Sequence, residues 1–278
     1  MMLFRWLLLF QLAILSHAAR TERDILDQFF ADTAGVQWIS RDNWATVSPI
    51  CSWYGVICND PSADEGVVSI DLPSNNVARK VTPELYQMPH LRLLNLQDNP
   101  IQDASLEGLA LVSATDATDL GTPSPLEVID FSECLLTHVT GIRHAAPTLL
   151  ELRLTKNQLS FFPSDIYQLT RLRKLYINYN PMRGVIGSQV GQLRELQEFY
   201  AYSNRLSGQL PTEIGLLDKV TVFTLANNQL TGTIPTEVNN MLNLEVFSLH
   251  GGTADDTVEG GMGSMEGPTT VSTGLTGP

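Results

Sequence analysis

The stretches KLYINYN at 174–180, EFYAYSN at 198–204 and VFTLANN at 222–228 are one motif written three times. Each sets apolar side chains at its second and fourth positions, Leu175 and Ile177, Phe199 and Ala201, Phe223 and Leu225, and each closes on an asparagine. Upstream the same motif reads LELRLTKN at 150–157 and LLNLQDN at 93–99. Aligned on the closing residue, the anchors are Asn75, Asn99, Cys134, Asn157, Asn180, Asn204 and Asn228, with steps of 24, 35, 23, 23, 24 and 24. An eighth, weaker copy keeps Leu244, Phe247 and Leu249 but has Gly252 where the asparagine belongs. Self-similarity at this period marks a stacked array.

Within a copy, the apolar residues alternate with outward-facing ones, as in a short strand. One copy cannot bury its apolar face alone, so neighbouring copies must close a shared core, each well-buried aliphatic side chain contributing ~1.5–3 kcal/mol before entropy is charged. The closing asparagine is polar among apolar neighbours, which requires its amide to bond the turning backbone of its own and the adjacent coil.

The pattern LxxLxLxxNxL resembles the leucine-rich repeat family over about residues 66–252. The resemblance implies an α/β leucine-rich repeat solenoid of about eight coils, with a parallel sheet on the concave face. LSGQLPTEIG at 206–215, LTGTIPTEVN at 230–239 and a degraded MRGVIGSQVG at 182–191 are similar to the LxGxIPxxLG segment of plant-type repeats. Their Gly and Pro predict backs that are extended or 3₁₀-like rather than long helices. LSFFPSDIYQL at 159–169 lacks that Gly, so a regular second sheet is not expected there. The family admits Cys in the asparagine slot, and Cys134 is expected to be a buried, unpaired, inert thiol.

The array is flanked by segments of different composition. Residues 1–19 carry Arg5, an apolar run from Trp6 to Leu15 and small residues at Ser16, Ala18 and Ala19, the pattern of a secretory signal peptide. About ten apolar residues are too few to span a bilayer core, which needs ~20. Residues 20–65 form an amino-terminal cap: Ile25, Leu26, Phe29 and Phe30 predict an amphipathic helix over 21–32. Trp44, Cys51, Trp53, Gly55, Val56 and Cys58 match W…CxWxGVxC, resembling the cap of plant-type secreted repeat proteins. That likeness implies a Cys51–Cys58 disulfide in an exported chain, with the tryptophans as cap core. A metal site is the alternative, but two ligands with no His nearby are too few. The 35-residue step contains ATDATDLGTPSP at 114–125, so residues 104–125 are expected to loop out, with one or two helical turns at 104–112. The Gly/Thr/Ser-rich tail at 253–278 is expected to be disordered.

The chain has 278 residues, with 17 Lys and Arg against 30 Asp and Glu, a formal charge of −13 that argues against nucleic acid and anionic membranes as partners. The five His are scattered, and HExxH, GxSxG and phosphate-loop patterns are absent from the sequence. The acidic ATDATD run lacks the spacing of a calcium loop, and no Asn-x-Ser/Thr sequon occurs. No catalytic residue, cofactor or metal is therefore expected.

The informative surface is the outward side of the strands. Between the two core residues the copies read Asp71, Asn95, Asp130, Arg153, Tyr176, Tyr200, Thr224 and Ser248, and two positions later Pro73, Gln97, Ser132, Thr155, Asn178, Tyr202, Ala226 and His250. Acids gather on the early coils, bases on the middle ones, and tyrosines on coils five and six. With strands ~4.8 Å apart, Tyr176 and Tyr200 should stand side by side with Arg153 one strand away. Exposed tyrosine beside arginine is a hot-spot composition, and Arg153, Lys156, Arg173, Tyr176, Tyr179, Tyr200 and Tyr202 are the expected partner-binding residues. The plainer alternative is that these tyrosines only pack the sheet.

The resemblance, to polygalacturonase inhibitors or receptor ectodomains, implies a secreted, non-enzymatic recognition protein that binds an extracellular protein or peptide, in signalling or defence, and associates with a membrane receptor. The alternatives are a structural protein of the cell wall or matrix, or an ectodomain fragment of a receptor-like kinase.

Overall fold

The computed structural model describes residues 20–62, 64–106 and 125–249, together with the backbone of Met265–Glu266. The expectations for residues 1–19, for 107–124 within the insertion, for His250 and for the remainder of the tail lie outside the described residues.

Helix α1 (Glu22–Asp32) starts where the sequence supplies a reciprocal cap. The Asp24 amide donates to Thr21 Oγ1 at 3.2 Å and the Thr21 amide donates to Asp24 Oδ2 at 2.9 Å. The helix buries Ile25, Leu26 and Phe29, and the chain turns away at Ala34 in the left-handed region, φ 57°. Phe29 and Phe30 pack edge-on against Trp38, and Trp38 and Trp53 each lie 4.9 Å from Trp44, so the cap is an aromatic cluster continuous with the core of the coils. The Arg23 guanidinium lies 5.2 Å from the Trp53 ring and pairs with Asp64 at 2.7 Å. Glu22 accepts from the Gly66 and Val67 amides, tying the helix start to the first coil. Cys51 and Cys58 are disulfide-bonded with Cα atoms 5.6 Å apart. Cys58 ends a short strand, Val56–Cys58, that runs antiparallel to Val67–Asp71. Sequence periodicity did not reveal that strand, because it belongs to the cap and carries no repeat.

From there eight strands run parallel, one per coil: Val67–Asp71, Leu93–Asn95, Val128–Asp130, Glu151–Arg153, Lys174–Tyr176, Glu198–Tyr200, Val222–Thr224 and Val246–Ser248. With the cap strand they make one nine-stranded sheet. The register never slips between these coils: Ile70, Leu94, Ile129, Leu152, Leu175, Phe199, Phe223 and Phe247 are partners in turn, and all are buried. A one-residue slip would turn this row to solvent, which fixes the pairing.

The backs of the coils include short 3₁₀ turns at Ser188–Gln192, Thr212–Leu216 and Thr236–Asn240, as the Gly and Pro signals predict, and Ser164–Gln168 takes the same form without the Gly. These turns stack closely: a Cβ at Gly215 would sit 2.4 Å from the Glu237 carbonyl oxygen, so only glycine fits. Arg183–Gly184, Arg205–Gly208 and Gln229–Leu230 form a second parallel sheet. It ends as expected at the copy that lost its glycine, reduced there to a single bridge between Phe161 and Arg183. Met265–Glu266 runs parallel to Gly232–Thr233.

The asparagine ladder binds coil to coil. Asn157 Nδ2 donates to the carbonyls of Phe131 at 2.7 Å and Leu154 at 3.1 Å, and its Oδ1 accepts from the Leu136 amide at 3.0 Å. Asn99, Asn180, Asn204 and Asn228 repeat the pattern. At the exceptional copy, the buried Cys134 thiol donates to the Leu96 carbonyl at 3.3 Å, and the Ile101 amide turns to Asn99 O at 2.7 Å. The free thiol is 3% exposed, and burial pushes its pKa up to about 12. At pH 8 the native protein is therefore expected to resist iodoacetamide, and denatured protein to take up one label per chain under non-reducing conditions. Rapid labelling of the native fold would show that the third coil opens readily.

Candidate binding surface on the long sheet

The uninterrupted register brings the predicted column into line: Asp71, Asn95, Asp130, Arg153, Tyr176, Tyr200, Thr224 and Ser248 are successive partners. Tyr176 and Tyr200 stack with centroids 4.9 Å apart and planes 8° from parallel. The Arg153 guanidinium lies 4.8 Å from the centre of the Tyr176 ring on the preceding strand. Three side chains thus form a continuous cation–aromatic–aromatic stack across coils four to six.

Asp130 of the same column and two acids that the sequence columns did not include, Glu151 and Glu198, hold this stack in place. Arg153 Nε donates to Glu151 and lies 3.9 Å from Asp130 Oδ2. Burial works against the Arg153 cation, and the Glu151 hydrogen bond and the neighbouring acids more than offset it, leaving its pKa raised. The Tyr176 hydroxyl donates to Glu198 Oε2 at 2.5 Å, while Lys174 Nζ lies 3.3 Å from Glu198 Oε1. Burial and then the Glu198 carboxylate raise the Tyr176 pKa, keeping the phenol protonated as a donor. Glu151, Lys174 and Glu198 occupy one further column, one row before the arginine and tyrosines, and alternate in sign along it. Reading that row from the sequence would have found them.

Tyr179 and Tyr202 meet edge-on at 5.1 Å, and Tyr179 is 49% exposed. Tyr179 takes a left-handed backbone, φ 56°, as do Asp98, Glu133, Lys156, Ser203 and Asn227 in the same slot before each anchor. This recurring turn projects Lys156 into a 3.0 Å ion pair with Glu133 of the preceding coil. Arg173 is exposed at the strand entry, within electrostatic reach of Glu195, and is not part of the ring stack. On the early coils polar pairs replace rings: Asn95 donates to Asp71 at 2.8 Å and Ser74 to Asp98 at 2.7 Å. Among the described residues no group of His, Cys, Asp or Glu could hold a metal ion, and no helix is long and apolar enough to cross a membrane. The surface offers ring faces, fixed hydrogen-bond donors and paired charges, the means of non-covalent recognition.

Comparison with known proteins agrees with this architecture. Two leucine-rich repeat family models match, at residues 87–110 and 219–241. A probable inactive leucine-rich repeat receptor-like protein kinase of Arabidopsis thaliana is 38% identical over 72 residues, covering 26% of this chain and 9% of that protein. Among solved structures, the Arabidopsis receptor kinase HAESA ectodomain in complex with an extended IDA peptide hormone has a TM-score of 0.65 at 28% identity, covering 80% of this chain and 36% of that one. HAESA with the peptide hormone IDA and the co-receptor SERK1 gives 0.66 at 26% identity, with 80% and 37% covered. A leucine-rich repeat protein of Leptospira interrogans gives 0.55 at 27% identity, with 65% and 42% covered. The chain is a leucine-rich repeat solenoid protein. Its repeats are similar to those of plant receptor kinase ectodomains, and it spans 36% of the first of these.

Proposed function

We propose that this chain is a secreted, non-enzymatic recognition protein whose concave sheet binds an extracellular peptide or protein segment. The observation that carries the reading is the Arg153–Tyr176–Tyr200 stack on a solvent-facing strand surface. Rigid aromatic rings, already ordered by their neighbours, lose little freedom on binding and supply contact area. Arg153, Lys156, Arg173, Tyr176, Tyr179, Tyr200 and Tyr202 are the proposed contact residues, with coils four to six as the footprint. The HAESA ectodomain, in complex with a peptide hormone, supports a peptide as the ligand class. The Cys51–Cys58 bridge supports an oxidising, extracellular setting. Association with a membrane receptor, as partner or as the remainder of a longer chain, belongs to the same proposal.

A second reading has its own observation. Arg153 and Tyr176 already have partners in Glu151, Asp130 and Glu198, so the ladder could serve only to stiffen a matrix spacer. Capture of secreted proteins on residues 20–278, wild type beside Tyr176→Ala/Tyr200→Ala, separates the two. Recognition predicts a partner retained by the wild type and at least tenfold weaker on the variant, whose circular dichroism spectrum stays unchanged. Equal capture on both would remove this surface from the function.

A further inference from the structure

The second sheet carries a charge arrangement that the concave surface does not use. Arg183 and Arg205 are direct partners in its parallel ladder, so their side chains leave the same face from neighbouring strands ~4.8 Å apart. Both are exposed, and neither has an ion pair or side-chain hydrogen bond among the described residues. Like charges directly opposite one another destabilise a sheet. Acids outnumber bases 30 to 17 in this chain, yet among the described residues none is ion-paired with either arginine.

Apolar surface adjoins the two cations. On its other side Arg183 bridges Phe161, whose side chain is 71% exposed. Val185, two residues beyond Arg183 and just past the strand end, is 59% exposed. Across the ladder Gly208 has no side chain, and a Cβ there would lie 2.9 Å from Val185 Cγ1. The valine therefore lies over the glycine instead of being lifted away.

We propose that this face is a second docking surface, for an acidic peptide segment of another protein in which an apolar side chain is flanked by carboxylates. The two guanidiniums receive the carboxylates in fork geometry, and Phe161 and Val185 receive the apolar group. A bound carboxylate would relieve the Arg183–Arg205 repulsion. A simple polyanion would engage the arginines and leave the ring and the valine in water, so the apolar flank favours a peptide. Because Arg205–Gly208 and Glu198–Tyr200 lie in different sheets, this surface stands or falls independently of the tyrosine stack.

The probe is the labelled peptide Gly-Ser-Glu-Glu-Leu-Glu-Glu-Ser-Gly, titrated with the full chain by fluorescence anisotropy at low salt, beside its Leu→Ser version. The wild type should bind the leucine peptide, with Arg183→Ala/Arg205→Ala weakening it at least tenfold and Phe161→Ser several-fold. Tyr176→Ala/Tyr200→Ala should leave it unchanged. No binding by the wild type, or equal affinity in the arginine variant, would overturn the proposal. So would equal affinity for the leucine and serine peptides, or binding of polygalacturonate as tight as that of the leucine peptide, since either would make the patch a plain anion site.

Discussion

Asn157→Ala is expected to lower stability by about 3–4 kcal/mol, because two buried backbone groups lose their partner together at ~1–3 kcal/mol each and a small cavity adds to the cost. The groups are the Leu136 amide, which donates to Asn157 Oδ1, and the Phe131 carbonyl, which accepts from Nδ2. The Leu154 carbonyl suffers less, since Asn180 also donates to it at 2.9 Å. For a chain of this size each kcal/mol moves the melting temperature by about 2–4 °C, so a fall of about 10 °C should appear in a calorimetric scan. Asn157→Cys should lose clearly less, because Cys134 already fills the equivalent slot and donates to a carbonyl of the preceding coil. A melting temperature within about 2 °C of wild type for the alanine variant would mean that water replaces the side chain.

Trp53→Ala is the second large effect, at about 3–5 kcal/mol for truncating a buried aromatic. The ring is 2% exposed, packs 4.9 Å from Trp44, lies beneath the Arg23 guanidinium and donates from Nε1 to the Ser48 carbonyl at 3.1 Å. Interactions in a stacked array are largely between nearest neighbours, so the damage should stay near the amino-terminal end. Hydrogen exchange should show protection lost over residues 20–75 while the strands from 174 to 224 keep theirs. Uniform loss across the array would show instead that cap and coils fold as one unit. Trp53→Phe, which keeps a ring against Trp44 but gives up the Ser48 bond, should fall between the two.

The array was legible because a strand has period two and each copy carries its own origin, the closing asparagine. Counting from that residue assigned every side chain of the Asp71-to-Ser248 column to its neighbours, and the uninterrupted ladder shows why counting sufficed. The second sheet does end at the copy with no glycine, 159–169, where the ladder shrinks to the Phe161–Arg183 bridge, although Arg79–Lys80 and Ile101–Asp103 pair in coils that also lack it. Less legible was whatever depends on two columns at once. From the adjacent row Glu151 holds Arg153 along the same strand and Glu198 holds Tyr176 diagonally from the next, relations that a single column hides. The second sheet pairs residues at shifted positions in successive copies, Arg183 three beyond its anchor with Arg205 one beyond its own, so aligning on asparagine does not place those arginines together. The antiparallel cap strand has no repeat from which to predict it.

The asparagine ladder also has a mechanical meaning. Each amide grips the backbone of the preceding coil, so the coils are links loaded in series, and tension applied at the carboxyl end falls first on the ladder of the last strand and then on the Asn228 grip. Each link that yields releases one step, 23 or 24 residues over the last four links, about 8 nm of extended chain, before the next grip is loaded. Under load the solenoid behaves as a ratcheted tether that lengthens in increments, while the bridged cap holds the far end fast.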